Sequence, residues 1–169
     1  MGSLEQILFL GAAAGAIVSG LMVIWHRSAV LSALFLVANL GCIAILFLTL
    51  GGQFLAAVQV LVYAGAIMVL FLFVIMLLNP AASGPRFRTG RAGTGLAFAL
   101  GVLFVGALVR GVWGLRGSRE LLTPVHPGFG SAVSVGKVLF GPYLYPFELT
   151  ALLLLVAMVG AVVLAKKDL

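Results

Sequence analysis

The residues of this chain that could do acid–base chemistry are few: it has four carboxylates, Glu5, Glu120, Glu148 and Asp168. Each lies at or beyond the end of a long apolar segment. No Lys, Asp or Glu lies near the middle of such a segment, although a proton crossing a membrane must rest on an ionisable group. We therefore expect no independent catalytic site in this chain, which fits an accessory subunit better than an autonomous pump.

Histidine and cysteine add no further chemistry. Cys42 is the one cysteine, so no disulfide can form within the chain, and among apolar neighbours it is expected to behave as a small hydrophobic residue. His26 ends the first apolar segment and is interpreted as interfacial. His126 lies between two prolines, and a metal role there would need further ligands. The sequence has no haem histidine pair, no Gly-rich phosphate loop and no catalytic triad, so we expect no metal or cofactor site.

Among the polar side chains inside apolar segments, we single out Asn39, Gln59 and Tyr63. Asn39 is near the centre of the second segment, where an amide normally faces protein or water rather than lipid. It could make a helix-to-helix hydrogen bond or belong to a proton path. Gln59 and Tyr63 lie four residues apart in the third segment and so share a helical face.

Composition places all these residues in a membrane protein. The chain is 63% hydrophobic and 8% charged, whereas soluble domains have about 25% charged residues. Backbone groups in lipid must be satisfied internally, which predicts an all-α polytopic protein. The net charge of +6 comes from basic residues at segment ends, so we interpret it as a topology signal and expect no nucleic-acid partner.

We expect residues 1–169 to form a single membrane domain with five transmembrane helices. The predicted spans are about 4–25, 29–50, 54–78, 93–115 and 147–165. No basic residue precedes the first span, so it is expected to remain in the mature protein. That span has a face of small residues suited to close helix contact: Gly11, Ala12, Gly15, Ala16, Ser19 and Gly20. The loop 116–146 is expected to hold one short element around Ser131 to Phe140.

Basic residues predict the orientation. One side of the predicted topology holds Arg27, Arg86, Arg88, Arg91, Lys166 and Lys167. The other side holds Arg116, Arg119 and Lys137, together with Glu5, Glu120 and Glu148. Because cytoplasmic loops carry the excess of Lys and Arg, we expect the N-terminus and the loop 116–146 outside and the C-terminus in the cytoplasm.

The third span, Phe54 to Leu78, is the most distinctive segment. It carries no charge, and its middle reads Tyr63-Ala64-Gly65-Ala66. A glycine in a helix interior costs about 1 kcal/mol relative to alanine in water. Small residues at this depth allow close helix approach or mark a local break in helical winding.

Two stretches resemble subunit J of bacterial NADH:quinone oxidoreductase, respiratory complex I, the counterpart of mitochondrial NADH dehydrogenase subunit 6. One is QVLVYAGAIMVLFLFVIMLL, residues 59–78. The other joins VGKVLF (135–140), YLYPFEL (143–149) and LLLLVAMVGAVVL (152–164). The resemblance covers the whole chain, and the 59–78 stretch is its specific part.

The resemblance implies a coupling role for the third helix. In that family this helix carries a π-bulge, and the residues matching Tyr63, Gly65, Ile67, Val69 and Phe71 lie at or near it. The helix is thought to switch between bulged and regular α forms, which would make or break a water path between the quinone cavity and the antiporter-like subunits. A π-bulge is one extra residue in a turn, so its removal rotates the following residues by about 100°.

Cofactors and partners follow from the same resemblance. NADH, FMN, iron–sulfur clusters and quinone would be used by the whole complex, and none is expected in this chain. The expected partners are the K, H, A and N subunits and membrane lipid, in a bacterial inner membrane. Some family members place a carboxylate in or near the second or third span; this chain has none, so protons would move on neighbouring subunits.

Alternative interpretations remain open for Glu148 and for the chain as a whole. Glu148 matches the family's Pro-Phe-Glu and could be an outer proton or water contact, or an acidic side chain favoured by a helix N-terminus. The chain could instead serve the equivalent place in a membrane-bound hydrogenase or a multisubunit cation/proton antiporter. It could also be a purely structural bundle subunit, whose third helix would stay α-helical in every state.

Overall fold

The structure, a computed structural model, describes residues 2–78, 91–115 and 128–166. Across these ranges the secondary structure is helical with no strand, which confirms the all-α prediction. The helices are α1 (Ser3–Trp25), α2 (Ala29–Thr49), α3 (Gln53–Leu78), α4 (Arg91–Leu115), α5 (Ala132–Leu139) and α6 (Leu144–Ala165). His126 and Asp168 lie outside the described residues. So do several residues used to predict orientation: Arg86, Arg88, Arg116, Arg119, Glu120 and Lys167.

Within the described ranges, four helices are long and apolar enough to cross a membrane: α1, α2, α3 and α6. The apolar stretch described in α4 is shorter, Gly95–Gly111. Helix α4 belongs to a separate compact unit, residues 79–126, while the other helices form one unit of residues 1–78 and 127–169.

Small residues bring α1 and α2 together. Ala12 and Ser19, two of the small residues of α1, are buried. A methyl group added at Gly15 would lie 3.0 Å from the Cys42 sulfur. The predicted small-residue face therefore packs against α2.

Two further contacts join the end of α1 to the start of α2. The Ser32 hydroxyl donates a hydrogen bond to the Val23 carbonyl. The His26 ring meets the Phe35 ring edge-on, with centroids 5.8 Å apart. His26 is exposed at the end of α1 and packs against α2 through this ring contact. Gly11, by contrast, has no atom within 4 Å of an added methyl group.

Helix α2 packs against α1 on one side and along α3 on the other. A tight turn at Gly51 and Gly52 joins α2 to α3, with Gly51 at φ +81°. This φ is in the left-handed region that glycine adopts without a steric penalty. Helices α2 and α3 are therefore antiparallel neighbours joined by a short turn.

Helix α5 occupies the place of the predicted short element. Ser131 caps its N-terminus, since the Ser134 N–H donates to the Ser131 hydroxyl oxygen at 3.3 Å. A turn then leads into α6, which begins at Leu144 rather than near residue 147 as predicted. Pro146 lies in the first turn of α6, where the missing N–H removes no helical hydrogen bond. The helix therefore starts ahead of the span predicted to begin at about residue 147.

Candidate functional site: the π-helical segment of α3

Helix α3 changes its winding in the middle. It is α-helical over Gln53–Val58, π-helical over Gln59–Ile67 and α-helical again over Met68–Leu78. At the junction the Met68 N–H donates to the carbonyl of Tyr63, five residues back rather than four. Such wide turns are rare and are frequently found at functional sites.

Gly65 lies inside the π-helical segment at a point of close backbone approach. A methyl group added there would be 3.1 Å from the carbonyl oxygen of Val60, the residue five positions earlier. This is tighter than ordinary van der Waals contact, so any other residue would have to displace that carbonyl. The glycine noted in the sequence therefore suits the π winding in particular.

Burial along α3 follows the altered winding. Ala56 and Gln59 are buried, at 4% and 7% exposure, and Met68 is buried at 6%. In a continuous α-helix the residues on the Gln59 face would be Tyr63 and Ile67. Tyr63 and Ile67 are instead about half exposed in this chain, and the more buried positions are Ala64 and Met68. The buried face has thus moved one residue along the sequence.

The five residues expected to take part in coupling divide between two kinds of helix. Tyr63, Gly65 and Ile67 lie in the π-helical segment, whereas Val69 and Phe71 lie in the α-helix that follows it. The altered winding begins earlier than expected and ends before Val69. Tyr63, Ile67, Val69 and Phe71 are 50%, 51%, 44% and 48% exposed in this chain, so they are available to contact other subunits.

Asn39 is not part of this group. A methyl group added at Gly20 of α1 would lie 3.5 Å from the Asn39 side-chain nitrogen. The amide therefore lies beside α1, whereas Gln59 is buried in the π-helical segment that packs on α2. This position favours a helix-contact role for Asn39.

Glu148 lies apart from both, near the start of α6, and is exposed. Because α6 begins at Leu144, Glu148 falls in the second turn rather than the first. The favourable effect of a helix N-terminus on a carboxylate fades within the first turn. A favourable interaction with the helix N-terminus therefore explains Glu148 less well than the sequence indicated.

The electrostatics of the segment are simple. No ionisable acid or base lies in α3 apart from the Tyr63 phenol, and its other polar side chain near the π-helical segment is the Gln59 amide. Among the described residues, no group of three or more His, Cys, Asp or Glu could hold a metal ion. The segment can change shape and present different side chains, but it offers no carboxylate or amine on which a proton could rest.

One structural feature was not predicted from the sequence. The turn 128–131 touches the α2–α3 turn, and the Phe54 N–H donates to the Gly130 carbonyl at 2.9 Å. The available signal was the Gly-Phe-Gly-Ser sequence at 128–131, which is typical of a turn. Nothing in that signal indicates that the Gly130 carbonyl contacts Phe54, which lies 76 residues earlier in the chain.

Comparison of the sequence with known proteins places this chain in a family. The profile of the NADH-ubiquinone/plastoquinone oxidoreductase chain 6 family matches residues 19–164. NADH-quinone oxidoreductase subunit J of Pseudomonas aeruginosa is 36% identical over 96% of this chain and 98% of that protein. The chloroplastic NAD(P)H-quinone oxidoreductase subunit 6 of Physcomitrium patens is 32% identical over 99% and 86% of the two chains.

A related protein carries a different name. F(420)H(2) dehydrogenase subunit J of Methanosarcina mazei is 32% identical over 98% of this chain and 93% of that protein. The family match and the near full-length similarity confirm the resemblance drawn from residues 59–78. The chain belongs to the NADH-ubiquinone/plastoquinone oxidoreductase chain 6 family, the family of NADH-quinone oxidoreductase subunit J.

Proposed function

We propose that this chain is the J subunit in the membrane arm of a proton-pumping NADH:quinone oxidoreductase. It has no catalytic site of its own, and α3 couples quinone reduction to proton translocation by changing its winding. The observation that carries this proposal is the π-helical segment Gln59–Ile67, with Gly65 against the Val60 carbonyl. The redox chemistry belongs to other subunits of the complex, which would hold the FMN and the iron–sulfur clusters and bind NADH and quinone.

The physical effect of a winding change is a rotation. Converting a π turn to an α turn removes one residue from the turn, which rotates everything beyond it by about 100°. Val69 and Phe71 lie directly beyond the π-helical segment. A rotation would move the Phe71 ring toward or away from a neighbouring water path and so open or close it without moving any charge on this chain.

The proposed partners are the K, H, A and N subunits. The exposed side chains of α3 supply the surface for them: Tyr63, Ile67 and Phe71 are each about half exposed in this chain. Since α3 offers no carboxylate, the groups that carry protons along the path must belong to these neighbours.

The proposed topology is five spans in a bacterial inner membrane, with the N-terminus outside. The 26 residues of α3 are about 39 Å long, so Leu78 lies far from the α2–α3 turn. Gly130 touches that turn. This position supports our proposal that the chain crosses the membrane once more between Leu78 and Gly130, with α4 as the fifth span. The positive-inside rule then sets the orientation, with Arg27 in the cytoplasm.

Replacing Gly65 with valine tests the coupling role. The variant complex should oxidise NADH with an artificial acceptor at the normal rate but translocate fewer protons per NADH oxidised with quinone. Gly160→Val, in α6, is the matched control because no atom lies within 4 Å of a methyl group added there. Equal losses of both activities, or no loss, would count against a coupling role and favour a purely structural bundle subunit.

A second candidate differs in the electron donor. It rests on the similarity to F(420)H(2) dehydrogenase subunit J of Methanosarcina mazei. Comparing reduction of quinone by NADH and by reduced F420 in the purified complex distinguishes the two. The same assay, with hydrogen as donor, tests a membrane-bound hydrogenase, and a complex without flavin or iron–sulfur subunits would indicate a cation/proton antiporter.

A further inference from the structure

The Gln53 end of α3 is held more tightly than a free helix end. The Phe54 N–H, one of the first N–H groups of the helix, donates to the Gly130 carbonyl at 2.9 Å. Within the turn, the Gly52 N–H donates to the Phe47 carbonyl at 2.8 Å. An N–H that the helix itself cannot satisfy is therefore bonded to a segment that follows far along the chain.

The two backbones meet without side chains between them. Gly130 has φ +76°, and a methyl group added to it would overlap the Gly51 carbonyl oxygen and lie 2.9 Å from the Gly52 Cα. We call this approach of Gly130 to Gly51 and Gly52 the glycine contact. It requires the absence of a Cβ at Gly130, both for the conformation and for the space.

The segment that makes the glycine contact is itself anchored. It leads into α5, which also packs on the first turns of α3. At the other end of α5 the Tyr143 N–H donates to the Val138 carbonyl at 3.1 Å, and the Phe140 and Phe147 rings meet with centroids 5.1 Å apart. The glycine contact is thus backed by α6, a helix of 22 residues.

We infer that the glycine contact fixes the Gln53 end of α3, so that a change of winding at Gln59–Ile67 turns only the Met68–Leu78 end. This inference rests on the proposed function, because it assumes that the winding changes. A rotation introduced in the middle of a rod is shared between its two ends unless one end is held. With the Gln53 end held by Gly130, the whole rotation passes to Phe71 and its neighbours. Gly130 is a positioning residue, acting through α3.

The first test compares alanine at two glycines of the same turn. Gly128 and Gly130 have φ values of +90° and +76°, so alanine is strained at both. Only at Gly130 does the added methyl group also overlap the α2–α3 turn; at Gly128 its nearest neighbour is the Ser131 hydroxyl oxygen, at 4.0 Å. Gly130→Ala should lower the number of protons translocated per NADH by about twofold or more, and Gly128→Ala should not. Equal ratios in the two variants would overturn the inference.

The second test shows whether the Gln53 end of α3 is fixed even if the Gly130 variant does not assemble. It uses two cysteine pairs in a Cys42→Ala background, each bridged by a short thiol cross-linker in the assembled complex. The first pair, Leu55→Cys with Val138→Cys, joins α3 to α5 across a pocket of about 450 Å³ that both residues line. The linked complex should keep its full proton-to-NADH ratio, since that end does not move. A lost ratio would contradict the inference.

The second cysteine pair tests the proposed function separately. Ala44 and Ala56 line one groove between α2 and α3. Helix α2 also contacts α3 beyond the π-helical segment, where Met68 is buried. Linking a cysteine at Met68 to a cysteine on the turn of α2 that packs on it should lower the number of protons translocated per NADH to near zero. If neither cross-link lowers the number of protons translocated per NADH, the proposed winding change is wrong. If only the cross-link at Leu55 lowers it, the inference about the glycine contact is wrong.

Discussion

Gln59 and Met68 lie on the same buried face of α3, although nine residues separate them. At 3.6 residues per turn, nine steps of an α-helix rotate a side chain by about 180°, which would place the two on opposite faces. Both are less than a tenth exposed, and α2 contacts α3 both over the π-helical segment and beyond it. The π-helical segment between them is what brings the second half of α3 back into register with α2.

Deleting one residue from the π-helical segment tests this relationship. Without Ala66, the segment can wind as a regular α-helix and still turn Met68 toward α2. We expect the complex to assemble and to oxidise NADH with an artificial acceptor, but to translocate about tenfold fewer protons per NADH, because the winding can no longer alternate. Proton uptake and NADH oxidation measured on the same vesicles give that ratio.

Deletion of Leu70 is the control for this experiment. It removes one residue from the α-helical part of α3, which rotates Leu72 and Ile75 by about 100° away from the face that Met68 shares with α2. Assembly should therefore fall sharply on native gels. Should the two deletions impair assembly equally, the register explanation of the π-helical segment is wrong.

Much of this architecture could be predicted because lipid imposes a simple rule. Segments without charge must be helical, so α1, α2 and α3 begin and end within one or two residues of the predicted spans. The extent of the π winding could not be predicted, because it depends on which carbonyl each N–H selects. Gly65 indicated where the winding changes, but nothing in the sequence indicated that the π-helical segment begins at Gln59 or ends before Val69.

The contact of Gly130 with Gly51 shows a second limit of the sequence. Each of the two glycines lies in a stretch of sequence that is typical of a turn, and neither stretch indicates a contact with the other. Their approach is set by how α3, α5 and α6 pack, which no local pattern encodes. Helix α6 begins at Leu144, ahead of the predicted span, because proline is tolerated in a first turn and Pro146 lies inside the helix rather than at its boundary.

Gly15→Ala should weaken the packing of α1 on α2. The new methyl group would lie 3.0 Å from the Cys42 sulfur, and overpacking of this kind costs about 1–3 kcal/mol. We expect less assembled complex on native gels and a lower temperature of subunit release. Cys42→Ala should restore part of the loss, since it removes the sulfur.

Gly11→Ala is the matched control on the same helix, because no atom of this chain lies within 4 Å of a methyl group there. A double-mutant cycle of Gly15 and Cys42 should give a coupling of about 0.5–3 kcal/mol. Additive effects of the two substitutions would contradict the contact.

Replacing Asn39 and Gln59 separately with leucine should distinguish packing from coupling. Asn39 lies beside Gly20 of α1, away from the π-helical segment, so Asn39→Leu should reduce assembly and leave the proton-to-NADH ratio of the assembled fraction unchanged. Gln59 begins the π-helical segment, and its substitution should lower that ratio by about twofold or more. A lowered ratio for Asn39→Leu in fully assembled complex would instead assign that amide to a proton path.

Labelling of single cysteines tests the proposed topology. Lys137 is exposed on α5, which packs at the Gln53 end of α3, and Arg27 is exposed just after α1, at the opposite end of the α1–α2 pair. In a Cys42→Ala background, Lys137→Cys should react with a membrane-impermeant thiol reagent added to intact spheroplasts, and Arg27→Cys should react only in inverted vesicles. This opposite pattern follows because α2 alone separates the Arg27 loop from the α2–α3 turn that Gly130 touches. Labelling of both cysteines from the same side would require an even number of crossings between them, and would exclude the return across the membrane assigned to α4.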